Sequence, residues 1–221
     1  MQTFIKILLV TAILILTMIF CTGCGKEKDS PENALNEIKI ALEARDFDKL
    51  SQRVDLEKFF AQIYDDSTIE LAANYDYYKE KYPADPYFQH DAEFLKHYNA
   101  EFRDLHLKFA DDVKAAYFAK LPEPEKPEEN PHAYVANEFE NLRRVVSTQI
   151  KNIVVEKNNA TITLSLKGDS SLRGQFVGEL EFKFGFTKDA AEKWHLTKIE
   201  NLDELTPTLV DKAELVWINF F

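Results

Sequence analysis

Residues 175–186 read QFVGELEFKFGF, and the alternation in this stretch decides the fold class. Phe176, Leu180, Phe182, Phe184 and Phe186 fall on one side of an extended chain, whereas Gln175, Glu179, Glu181 and Lys183 fall on the other. A period of two with an apolar and a charged side predicts a long strand in a sheet that is dry on one face and wet on the other. Upstream, in NATITLSL at 159–166, Ile162, Leu164 and Leu166 alternate with Thr161, Thr163 and Ser165 in the same way. Ile150–Glu156 precedes it across Asn158 and Asn159, a pair suited to a tight hairpin turn. Trp194 and Leu196 begin a fourth strand that ends near Asn201. Residues 147–201 are therefore an antiparallel sheet, and its dry face requires a cover.

The cover is predicted over 31–146. No glycine occurs between Lys26 and Lys167, while Gly168, Gly174, Gly178 and Gly185 follow closely on one another, and glycine is penalised in helices but used at turns and bulges. Ser30, Pro31 and Glu32 supply a cap, a first-turn proline and a first-turn acid for a helix over 31–45 with Leu35, Ile38, Ala41 and Leu42 on one face. A short connector carrying Phe47, Leu50 and Val54 leads to a second helix with Leu56, Phe59, Phe60 and Ile63. Asp66 or Ser67 can cap a third, in which Leu71, Tyr75, Tyr78 and Tyr82 recur until Pro83 stops it. A fourth runs from about Gln89 to Lys120, with Phe94, Tyr98, Phe102, Leu105, Phe109 and Val113 as its buried stripe. Prolines and glutamates make 121–131 an extended surface loop within one α+β domain, 31–205. Asn130 and Pro131 then open a fifth helix with Val135, Phe139, Leu142 and Val146 on one side. The tail, 206–221, is a closing helix or arm.

With 221 residues, 45% hydrophobic and a formal charge of −11, the chain has the composition of one globular domain plus its termini. The acidic balance excludes a nucleic-acid partner, whose phosphates demand clustered cations. The chain opens MQTFIKILLVTAILILTMIFCTGC, in which the apolar run Ile7–Phe20 makes about 21 Å of helix at ~1.5 Å per residue. That falls short of a hydrocarbon core of roughly 30 Å and suits a secretory h-region. Thr22 and Gly23 before Cys24, followed by polar GKEKDS, resemble the lipobox of bacterial lipoproteins, with Cys21 in place of the usual leucine. Cys21 fits worse as the modified residue because bulky Ile19 and Phe20 precede it. The resemblance implies that residues 1–23 are a signal peptide, that Cys24 carries a diacylglyceryl thioether and that 24–30 are a tether. It also implies a cell-envelope location with the membrane as partner through the lipid. Gly25 in place of aspartate removes the usual inner-membrane retention signal, so the outer membrane is expected in a two-membrane bacterium. An uncleaved signal anchor is the other reading of this segment.

Helices first, then long antiparallel strands with a phenylalanine-lined inner face and a final Trp-x-Leu strand, resemble the cone-shaped α+β fold of the nuclear transport factor 2-like superfamily. The opening PENALNEIKIALEARDFDKLSQRVD, with Arg45, Asp46, Val54 and Asp55, is similar to small lipoproteins of that superfamily. The resemblance covers 31–65 and 147–201, and the tyrosine-rich stretch 67–120 departs from a minimal cone. It implies helices packed on one face of a curved C-terminal sheet, with a pocket that in the superfamily's enzymes holds an Asp, His or Tyr as general acid or base.

The inner-face positions of this chain are Phe, Leu, Ile and Trp, which suit binding of an apolar ligand rather than catalysis. Phe182, Phe184 and Trp194 are the binding candidates there, and no catalytic residue and no cofactor is assigned. Every tyrosine lies between Tyr64 and Tyr134, and Tyr75 and Tyr78 in the densest piece suit either recognition of a partner or helix packing. His90, His97, Glu101 and Asp104 share one helix edge. His97 and Glu101 have the spacing to hold a divalent metal, yet an exposed acidic helix edge carries such residues anyway, so no metal site is assigned. His106 falls on the other flank, and His195 points to the wet face beside Trp194. The expected function is a lipid-anchored envelope protein with a non-catalytic domain that binds a protein or an apolar ligand. The alternatives are an envelope isomerase or hydrolase with an acid/base residue in the cone pocket, or a metal-binding envelope protein.

Overall fold

The computed structural model describes residues 29–220, with the side chains of 213 and 215–220 left out; Cys24, the apolar leader and most of the tether lie outside the described residues. Helix α1, Pro31–Ala44, begins where Ser30 Oγ accepts the Asn33 N–H at 3.1 Å, and it buries Leu35, Ile38, Ala41 and Leu42. Arg45 ends it in the left-handed region, at φ 52°. Asp46 caps α2, Phe47–Ser51, and Asp55 caps α3, Leu56–Ala73. Between them Val54 forms a parallel bridge to Leu196 on the last strand. Arg45, Asp46, Val54 and Asp55 are thus joints of the chain: a helix end, a helix start, a bridge and a second helix start.

Helix α3 runs straight through Asp66 and Ser67, where a new helix was expected to start. Its apolar face, Phe60, Ile63, Tyr64 and Leu71, is continuous, and Ser67 lies on it 2% exposed with no helix end to cap. The chain breaks at Asn74 instead, and α4 spans Tyr75–Lys81. A 3-10 turn, Pro86–Gln89, capped by Asp85, leads to α5, Ala92–Phe118, capped by Asp91. The buried stripe of α5 is Leu95, Asn99, His106, Ala110, Val113, Ala116 and Tyr117; of the expected stripe only Val113 is fully buried, while Tyr98, Phe102 and Phe109 are half-buried and Phe94 and Leu105 are exposed. Phe94 and Leu105 are 39% and 57% exposed. Two contacts set this rotation: Arg103 donates twice to Asp65 at 2.7 and 2.8 Å, and the Tyr64 hydroxyl reaches the Asn99 carbonyl at 2.9 Å. Helix α6, Pro131–Val145, is capped by Asn130 and packs on α5.

The sheet is an antiparallel meander in the order β1 (Val146–Glu156), β2 (Asn159–Gly168), β3 (Glu179–Lys188) and β4 (Trp194–Ile199). Its register places Leu164 opposite Phe182 and Ile162 opposite Phe184, and all four are 0% exposed. Lys183 sits on the other face. The expected third strand is shorter at its start, because Leu172–Val177 is a helical turn, α7, and Phe176 belongs to it. Ser171 caps that turn, and Gly178, at φ 64°, redirects the chain into β3. Gly168 and Gly174 pass so closely that a Cβ on Gly168 would stand 1.8 Å from the Gly174 carbonyl oxygen. One helix, α8, runs Leu202–Phe220 across the expected boundary between 205 and 206. Helices α1 and α3 lie against β4, and the main core fills the space between them and the sheet.

This register predicts unequal costs for adjacent residues. Phe182→Ala should cost roughly 3 to 5 kcal/mol in urea melts through the cavity it leaves. Lys183→Ala should change stability by less than about 0.5 kcal/mol. Equal losses would contradict the one-sided sheet.

Candidate functional site

Phe182, Phe184 and Trp194 lie together in the main core, at 0%, 0% and 4% exposure, with the two phenyl rings stacked 5.9 Å apart. Tyr75 and Tyr78 belong to a second, smaller core with Tyr64, Leu71, Tyr87, Phe88, Leu95 and Val210. The structure does not bring the two sets together. Side chains this buried already have protein neighbours on every side, so a ligand would reach them only by displacing core.

Beside Trp194 lies a charge that sequence reading missed. Arg53 is 7% exposed, and its guanidinium donates from Nε to Glu37 at 2.6 Å and from Nη2 to Asp29 at 2.6 Å. Nη1 donates both to Asp29, at 2.9 Å, and to the Trp194 carbonyl, at 3.1 Å. Asp29 also accepts the Trp194 N–H at 2.8 Å. Burial opposes the ionised form of Asp29, but these hydrogen bonds outweigh it and hold the carboxyl below its ordinary range. Asp29 and Ser30, which were expected in a tether, thus belong to the fold, Asp29 through Arg53 and Trp194 and Ser30 as the cap of α1.

The second core has a polar interior. The Tyr87 hydroxyl donates to Asn99 Oδ1 at 2.9 Å, and the Tyr64 hydroxyl lies 2.9 Å from the Asn99 carbonyl and 3.1 Å from His106 Nδ1. Both contacts of Tyr64 are satisfied when it donates to the carbonyl and accepts from a neutral His106 protonated on Nδ1. Burial lowers the His106 pKa, in keeping with that tautomer, and the side chain is core rather than the expected flank. Asp85 accepts the Tyr87 N–H at 2.9 Å through Oδ1. Its side chain also faces Glu214 of α8, and the two carboxyls are 7% and 5% exposed. Burial first, and then Asp85, push the Glu214 carboxyl up to about 8. The Asp-Pro step at 85–86 is the cap signal that could have located Asp85. No local pattern marks Glu214, far along the chain.

Rings along α5, exposed at His90 and Phe94 and half-buried at Tyr98 and Phe102, form a ladder at the edge of the second core. His90 lies 3.9 Å from Phe94, Phe94 stacks on Tyr98 at 5.8 Å, and Tyr98 meets Phe102 at 4.6 Å. Further along, α6 takes over as neighbour, with His132 4.7 Å from Phe109. His97 pairs with Glu93 at 3.3 Å, and no group of three His, Cys, Asp or Glu suited to a metal occurs among the described residues. His195 faces outward and meets Asp189 at 2.9 Å. No helix among the described residues is long and apolar enough to cross a membrane.

No known protein family matches this chain, and neither a curated protein nor a solved structure is significantly similar to it.

The Arg53 cluster generates two expectations. Arg53→Met leaves Glu37 without this donor and Asp29 with the Trp194 N–H alone, and should cost about 3 kcal/mol in urea melts. Because the Asp29 pKa is lowered by folding, its contribution is present above the ordinary aspartate value of 3.8 and lost as pH falls through the lower folded value. Asp29→Asn should therefore flatten the acid side of the stability profile, read as urea midpoints from pH 2 to 6. A variant with the wild-type acid slope would exclude Asp29 as a contributor.

Proposed function

We propose that this chain is a lipid-anchored protein of the cell envelope whose α+β domain binds another protein without catalysing a reaction. The anchor reading rests on Cys24 and its lipobox-like surroundings, and the seating of Asp29 gives it a mechanical consequence. Only residues 25–28 separate Cys24 from a residue fixed to Arg53, a span of at most about 18 Å at ~3.6 Å per residue. The domain would be held against the lipid headgroups, and with Gly25 after the cysteine the outer membrane is the expected site in a two-membrane bacterium. The cone of the nuclear transport factor 2-like superfamily is the finer reading of the fold. It is supported by the one-sided meander and by the joint residues Arg45, Asp46, Val54 and Asp55 that carry the resemblance.

The observation that carries the binding reading is the ladder of rings on α5, uncovered at Phe94 and Leu105. Rigid amphipathic rings bring large contact area at low entropic cost, which suits a protein interface. The enzyme alternative would draw on Asp85 and Glu214, the kind of carboxyl pair that performs acid–base chemistry. Both are sealed in the second core, away from the sheet face on which that alternative was based.

Two measurements test this. Cys24→Ala should abolish incorporation of labelled palmitate and leave an uncleaved precursor; label retained on that variant would overturn the anchor. A photo-crosslinking residue at Tyr98 should give a discrete adduct in intact cells, lost in the double variant Phe94→Ser, Leu105→Ser. Each of those substitutions, at exposed positions, should alter stability by no more than about 0.5 kcal/mol. An adduct indifferent to the double variant would remove the ladder as the binding face.

A further inference from the structure

The second half of α8 is fastened by polar contacts of different kinds, one of them from Lys212 Nζ, which donates to the Phe176 carbonyl of α7 at 3.0 Å. On its flank, Asp211 accepts from Lys81 Nζ at 2.7 Å and from the Tyr82 hydroxyl. Three residues on, Glu214 turns inward to Asp85, beneath Val210, which is itself 0% exposed and packed in the second core. Asp85 Oδ2 and Glu214 Oε1 are buried and have no hydrogen-bond partner. Two ionised carboxylates in that position would repel each other in a site shielded from water, and a carboxylate cannot donate. One proton between them removes the repulsion and supplies the missing donor.

We propose that Asp85 and Glu214 form a proton-operated latch that holds the second half of α8 on the turn 85–89 and lets go when the shared proton is lost. The groups facing the pair leave the proton as its means of neutralisation. Tyr87, on the same turn, has its hydroxyl committed to Asn99, and Tyr82 at the end of α4 has its own committed to Asp211. Tyr64 on α3 and Tyr98 on α5 stand beyond Tyr87, and burial keeps both phenols protonated. Asp211 adds negative charge on α8 and is engaged by Lys81. No Lys, Arg or His is among the groups acting on Glu214.

The sign follows from linkage. Glu214 holds its proton more tightly in the folded chain than when free, so the stability it contributes is complete below the ordinary glutamate range. That stability declines as pH rises and is spent once the folded value is passed. The latch is shut in acid and at neutrality, and it loosens in mild alkali. Opening would bare Tyr87 and Phe88, which the closed structure leaves 6% and 0% exposed.

Hydrogen–deuterium exchange on the full-length protein in detergent micelles tests the latch, comparing pH 6.5 with pH 9 after correction for the intrinsic exchange rate. The peptide covering 208–214 should lose protection on the order of thirty-fold, the ratio linkage gives for a carboxyl titrating near 8 when shut and near 4.5 when open. The strand 179–188 serves as the internal reference and should not change. Glu214→Gln carries a permanent donor to Asp85 and should abolish the pH effect. Asp85→Asn removes the like charge but leaves Glu214 buried, and should shrink the pH effect without abolishing it. The latch is overturned if both variants keep the wild-type loss, or if the strand loses protection in parallel with α8.

Discussion

A sheet that is apolar on one face has to be roofed, and most of this molecule is the roof. Ile162, Leu164, Phe182, Phe184 and Phe186 line a single face, and leaving such side chains in water would forgo about 1.5 to 3 kcal/mol apiece. Helices α1 and α3 meet this demand from above β4, and α1 reaches β2 as well. The helices in turn have only one apolar stripe each, so they are placed by the same surface they cover. The wet face needs no second layer, because Thr, Ser, Lys and Glu occupy it.

A roof must be registered as well as attached, and at the β4 edge that task falls to a buried cation. Arg53 stands between Asp29, Glu37 and the Trp194 carbonyl, with the next residue bridged to Leu196. Desolvating a guanidinium is costly, and the cost is offset here because two carboxylates and a carbonyl take up its donors. The contacts come from Asp29 just ahead of the α1 cap, from α1 and from β4, so one side chain fixes three parts of the fold at a point where apolar packing alone would permit sliding.

The sheet and the capped helices were legible because their signals are local. Alternation put Leu164 and Phe182 on the dry face, where the structure buries both, and Ser30 with Pro31 and Asn130 with Pro131 each started a helix where expected. The face of α5 was not legible, since its aromatic residues describe one stripe while its buried side holds Asn99 and His106. These side chains are inside because Tyr64 and Tyr87, from other elements, engage His106 Nδ1 and Asn99 Oδ1, although Asn99 Nδ2 is left without a partner. The extent of α3 is hidden for a related reason: Ser67 has the chemistry of a cap, but it lies 2% exposed within the helix. Arg53, Asp85 and Glu214 depend on partners distant in sequence, which no spacing rule reports.

The two cores differ in what they specify. The main core is assembled from aliphatic and aromatic groups, and such packing tolerates substitution as long as volume and pattern are kept. The second core contains Tyr64, Tyr87, Asn99, His106, Asp85 and Glu214, whose polar atoms have to find partners of defined direction. Each pairing narrows the arrangements open to α3, α5, the turn at 86–89 and α8, because a shifted neighbour would leave a buried group unsatisfied at a cost of about 1 to 3 kcal/mol. Geometry is purchased there with stability. The rings that this arrangement sets at its edge, from His90 to Phe102, are held by a helix whose rotation the polar core has set, so the ladder inherits its order from the interior.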